Sequence, residues 1–125
     1  MEFLMAYDIM LSNRVREYLA EYCSSSIEEK EMFSGLAFLV DGKMCINISD
    51  NRLMLRFAPE LTEQFSQRPG FEPMIMKGKE LQGYAYIEPE GYLRNDDFEF
   101  WMQACLYYNP KAKASNKRKK QNQSA

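Results

Sequence analysis

The run Met32-Phe33-Ser34-Gly35-Leu36-Ala37-Phe38-Leu39-Val40-Asp41-Gly42-Lys43-Met44-Cys45-Ile46-Asn47-Ile48-Ser49 decides the fold class. Met32 to Val40 is apolar, aromatic and β-branched, and it stops at Asp41-Gly42, a pair at ease with positive φ and therefore a strong hairpin signal. A strand enters the turn and another leaves it. The leaving strand alternates, with Met44, Ile46 and Ile48 expected on one face and Lys43, Cys45 and Asn47 on the other. A second turn at Asp50-Asn51 leads into Arg52 to Phe57, where Leu53, Leu55 and Phe57 alternate with Arg52, Met54 and Arg56. Three strands in a meander follow from turn chemistry and parity.

On the N-terminal side, Leu11, Val15, Tyr18, Leu19 and Tyr22 line one face of a helix expected from about Ile9 to Cys23, with Asp8 as its N-cap. Ser24, Ser25 and Ser26 end it, and Glu28 to Glu31 read as a charged, solvated approach to the first strand. On the C-terminal side, Pro59 opens a short helix holding Leu61 and Phe65, closed by Pro69-Gly70. Phe71 to Lys77 is an edge-strand candidate that tolerates Pro73. Leu81 to Glu88 is a further strand, and Asn95 is expected to cap a last helix whose stripe is Phe98, Trp101, Met102 and Cys105. Helix, three strands, helix, one or two strands, helix makes an α+β fold: a two-layer sandwich of one antiparallel sheet with helices on one face.

With 125 residues there is one core, and 46% hydrophobic against 27% charged residues is an ordinary globular balance rather than that of a disordered chain. Met1 to Leu11 carries Glu2 and Asp8 and no basic leader region, so secretion is not expected, and no apolar run approaches the roughly 20 residues of a membrane span. Cys23, Cys45 and Cys105 are odd in number and far apart, as reduced cytosolic thiols are. Residues 109–125 hold six basic side chains and no acid, which leaves 10 basic against 18 acidic in residues 1–108, a net of −8. The expected organisation is a domain over 1–108 and a basic disordered tail over 109–125. Within that tail Lys117, Arg118, Lys119 and Lys120 are the candidate contacts to nucleic acid, which an acidic body would otherwise repel.

The absence of histidine removes Ser-His and Cys-His nucleophile pairs and every His-containing metal site. Three cysteines without a C-x-x-C pair cannot build Cys₄ zinc, and the six glycines form no phosphate loop. Glu88 and Glu90 flank Pro89 as a solvated strand end. No catalytic, cofactor or metal residue is assigned, and the expectation is a non-enzymatic protein without cofactors. The sheet face opposite the helices is expected to present Lys43, Cys45, Asn47, Arg52, Met54, Arg56, Tyr84 and Tyr86. Arg, Tyr and Met are interface-enriched, so this face is the candidate protein-binding surface, with a homodimer as one form of the contact. Two other classes stand beside it: a nucleic-acid-associated regulator using the basic tail, and a small thiol enzyme or redox protein at Cys45, whose neighbour Lys43 would lower its pKa.

The blocks Glu31 to Cys45, Arg52-Leu53-Met54-Leu55-Arg56, Gly83-Tyr84-Ala85-Tyr86-Ile87-Glu88-Pro89-Glu90-Gly91 and Trp101 resemble the TfoX N-terminal domain family. That family forms the N-terminal part of the Sxy/TfoX competence regulators and also includes small stand-alone bacterial proteins. The resemblance covers about residues 7 to 108, its first block being the most specific. It implies a secretion-chaperone-like α+β fold and a bacterial cytoplasmic protein. Ser34 stands where family members often carry a first glycine. No second, helical domain follows as in full-length regulators, so a stand-alone member is expected.

Overall fold

The computed structural model describes residues 7–32 and 34–112. Helix α1 (Ile9–Tyr22) starts where expected, because the Asp8 side chain accepts a hydrogen bond from the Leu11 N–H at 3.0 Å and so satisfies one of the free donors of the first turn. It is followed by strands β1 (Ile27–Met32), β2 (Gly35–Val40), β3 (Lys43–Ser49) and β4 (Arg52–Arg56). A 3-10 turn (Pro59–Leu61) runs into the one-turn helix α2 (Thr62–Phe65), then come β5 (Phe71–Met76), β6 (Lys79–Ile87) and helix α3 (Asn95–Tyr108). Arg94, extended at φ −73° and ψ 144°, holds the capping position of α3, one residue before the expected Asn95.

All six strands form one antiparallel sheet in the order β1-β2-β3-β4-β6-β5. The Asp41-Gly42 turn is the expected hairpin, with φ of +52° and +79° at its two residues. The meander has four strands where three were read from the sequence. The stretch Met32 to Val40 is divided at Ser34, whose φ is +58°, and the charged approach before it is edge strand β1. Glu29 of β1 faces the helices beside Phe38 and forms a two-pronged ion pair with Arg16 of α1, at 2.5 and 2.7 Å. Gly35 makes the division workable: a Cβ there would press onto the Ile48 carbonyl oxygen and lie 2.6 Å from Asn47 Oδ1. Asn47, fully buried, donates from Nδ2 to the Met32 carbonyl at 3.1 Å and ties the end of β1 to β3.

Helices α1 and α3 cover one face, and the core lies between them and the sheet. Leu11, Val15 and Leu19 from α1 meet Phe98, Trp101, Met102 and Cys105 from α3 over Phe38, Ile46, Ile48, Leu53, Leu55, Ala85 and Ile87. Trp101 is fully buried, its Nε1 donating to the Gly91 carbonyl at 3.1 Å and its ring edge-on to Phe65 and Phe100. Arg14 joins the starts of both helices by donating to the Tyr92 carbonyl and to Asn95 Oδ1 while lying 4.0 Å over the Phe98 ring. The chain stays packed past α3: Asn109 is buried and donates from Nδ2 to the Val40 carbonyl at 3.1 Å, and Ala112 is buried too.

Candidate functional site

The strand registers place one row straight across the sheet face that no helix of the described residues covers: Lys30, Ala37, Asn47, Met54, Tyr86 and Glu72. Side chains opposite one another on antiparallel strands share a face, and every second residue along each strand joins them. Buried Ala37, Met44 and Met54 thus pack with half-buried Met32, Leu39, Met74, Tyr84 and Tyr86 in a second apolar cluster separate from the helix-side core. Four of the nine methionines of the chain gather here. Unbranched thioether side chains re-pack at little cost, which is the property of adaptable contact surfaces.

Two arginines lie on this cluster. The Arg52 guanidinium stacks 3.8 Å from the Tyr86 ring centre, 3.4 Å from Glu72 Oε1 and 3.8 Å from Glu88 Oε2. Desolvation raises the pKa of the Glu88 carboxyl, and a hydrogen bond and like charge from Glu72 add to the rise, while Arg52 opposes it. Arg56 approaches the Tyr84 ring at 5.8 Å.

Of the eight residues expected on this face, six are on it: Asn47, Arg52, Met54, Arg56, Tyr84 and Tyr86. Lys43 and Cys45 are on the other side. The β2–β3 register shifts between Phe38 and Leu39, so that Leu39 pairs with Met44 and Phe38 with Ile46, and Cys45 is the extra residue. Such a bulge breaks strict alternation. Cys45 is turned into the helix-side core, and Lys43, opposite Val40, reaches with Nζ to the Pro110 carbonyl at 3.4 Å. Met44, expected in the core, takes the outward place beside Met54. The proposed electropositive thiol is thereby corrected. Cys45 is 1% exposed, and it lies against Cys105, whose thiol pKa is pushed well up first by burial and then by its hydrogen bond with Cys45.

The sequence reading put Met44 on the opposite face and did not join Met32 and Met74 to this cluster, whose members meet only through strand pairing. Lys117, Arg118, Lys119 and Lys120 lie outside the described residues. Among the described residues no helix is long and apolar enough to cross a membrane.

The architecture and its uncovered face define a small α+β domain: a two-layer sandwich with helices on one side of a six-stranded antiparallel sheet. The model of the TfoX N-terminal domain matches residues 17–108 of the 125, and the chain belongs to that family. No curated protein matches the chain.

Proposed function

We propose that this chain is a regulatory module that acts through protein contacts on its uncovered sheet face. Membership of the TfoX N-terminal domain family supports the regulatory role. The observation that carries the contact is the methionine cluster of Met32, Met44, Met54 and Met74 overlaid by the Arg52–Tyr86 and Arg56–Tyr84 pairs. The sheet edges favour a face over a strand-addition mode. Glu28, Glu29, Lys30 and Glu31 crowd β1 with exposed charge, and Pro73 removes a backbone donor from β5; both are devices that block edge pairing. A partner therefore meets side chains, with the arginines as anchors and the methionines fitting around them.

The test pairs Arg52→Ala with Arg56→Ala. The parent protein should self-associate in sedimentation velocity or retain a bacterial partner on an affinity column, and the double variant should lose that contact with an unchanged fold by circular dichroism. If association and capture match the parent while the melting temperature falls, the arginines are structural and the reading fails.

A further inference from the structure

The row that crosses the sheet face from Lys30 on β1 to Glu72 on β5 begins on a cation and ends on an anion. Both end residues are exposed, while Ala37, Asn47 and Met54 between them are buried and Tyr86 is half-buried. Neither end is balanced within the chain. Lys30 forms no ion pair among the described residues, and Glu72 shares the guanidinium of Arg52 with Glu88, so carboxylate charge is in excess there. Because β1 and β5 are the two edges of the sheet, the opposite charges stand about 24 Å apart, at about 4.8 Å per strand spacing, too far to meet in one molecule.

We infer that a second copy of this chain docks on this face about a two-fold axis parallel to the strands, Lys30 of each copy pairing with Glu72 of the other. This names the partner of the contact face proposed above and rests on that reading. Two sheets packed face to face lie about 10 Å apart with their strands nearly aligned. An axis along the strands then reverses the row, so that Lys30 comes opposite Glu72, Ala37 opposite Tyr86 and Asn47 opposite Met54. Both charged ends are matched at once, and the bulkiest side chain of the row faces its smallest. An axis across the strands instead leaves the row in place and sets Lys30 on Lys30 and Glu72 on Glu72, a repulsion at each end. The charges therefore select one of the two symmetric arrangements. Glu28, the remaining charge on that face of β1, is exposed at the rim, where solvent keeps it hydrated. With six strands, and three rows of outward side chains set on β4 by Arg52, Met54 and Arg56, the face measures roughly 29 by 20 Å. Burying it on both copies removes about 1,200 Å², enough for a specific contact at the small end of the range.

A charge exchange on the full chain tests this. The parent should be a dimer in sedimentation equilibrium, with a dissociation constant on the order of micromolar for a face of this size. Lys30→Glu or Glu72→Lys alone sets like charges at both contacts and should weaken the dimer about tenfold with unchanged circular dichroism. The two variants mixed should pair with each other about as tightly as the parent does, and so should the chain carrying both changes. Carbodiimide, which joins an amine to a carboxylate in contact, should yield a Lys30–Glu72 cross-linked peptide from the dimer, a bond the width of the sheet forbids within one chain. A monomeric parent, a dimer indifferent to the single changes, or a mixture no tighter than its components overturns the inference. So does a Lys30→Glu chain that pairs better with the parent than with the Glu72→Lys chain, the result for an axis across the strands. Capture of a different protein that is lost with Arg52→Ala and Arg56→Ala, from a parent that stays monomeric, would overturn the second copy while leaving the contact face standing.

Discussion

Trp101 is the side chain on which the helix layer closes. Its stripe was legible from Phe98, Met102 and Cys105 at helical spacing, and the ring is fully buried among Phe65, Phe71 and Phe100. Trp101→Ala should cost about 3–5 kcal/mol in urea unfolding. Trp101→Phe, which keeps an aromatic but leaves the Gly91 carbonyl without its donor, should cost about 1–3 kcal/mol. Gly35→Ala should lower stability by roughly 1–3 kcal/mol, since the added methyl meets backbone that cannot retreat. Tyr92 supplies a pH test. Burial, with Asp8 and Glu88 nearby, pushes its pKa up to about 12, and its hydroxyl donates to the Asn51 carbonyl at 2.6 Å. The neutral form is the one the fold favours, so this contribution is complete below the unfolded value near 10 and is lost as pH rises from about 10 to 12. Tyr92→Phe should flatten that part of the stability curve, read by chemical denaturation at each pH.

At the scale of elements, what was legible followed turn chemistry and helical periodicity. The Asp8 cap, the Asp41-Gly42 hairpin, and the α1 and α3 stripes all depend on neighbours close in sequence. Strand β1 was not legible, because Ile27–Met32 is an edge strand with a single neighbour and four charged residues in six. Its identity comes from pairing with β2 across the tight turn at Ser34 and from the Arg16–Glu29 bond to α1, neither of which its own composition announces. The β2–β3 bulge had no signature either, and it reassigned Lys43, Met44 and Cys45 in one step. This has a chemical consequence. Cys45 and Cys105 are buried and Cys23 is half-buried, so a thiol reagent should modify Cys23 first and leave the other two until unfolding. Rapid labelling of Cys45 in the native protein, located by peptide mapping, would contradict the bulge assignment.

For the whole molecule, the sheet divides the chain's apolar residues between two unequal clusters, one sealed by helices and one at the uncovered face. The fold also draws its C-terminal limit later than composition suggests. Asn109 and Ala112 are buried although they open the basic stretch. Removing residues 113–125 should change the unfolding free energy by no more than about 0.5 kcal/mol at physiological salt. Removing residues 109–125 should cost at least about 1 kcal/mol more, because the Val40 carbonyl and the neighbouring core lose their cover. Comparing the two truncations by urea titration checks this limit.

The amino-acid sequence by itself determined the α+β class, the antiparallel meander, the helical stripes, the core position of Trp101, and the exclusion of histidine-based chemistry. Each of these depends on composition or on residues within a few positions of one another, where propensity and turn geometry act directly. Six of the eight residues expected on that face were legible for the same reason, since β4 and β6 keep strict alternation across it and Asn47 lies beyond the bulge in β3. Tertiary structure alone decided which way Cys45 and Met44 point, that Glu28 to Glu31 form a strand, and that Arg14 joins the starts of α1 and α3. Those outcomes depend on strand pairing, on the register shift between β2 and β3 and on helix placement over the sheet, none of which local propensity or strict alternation encodes.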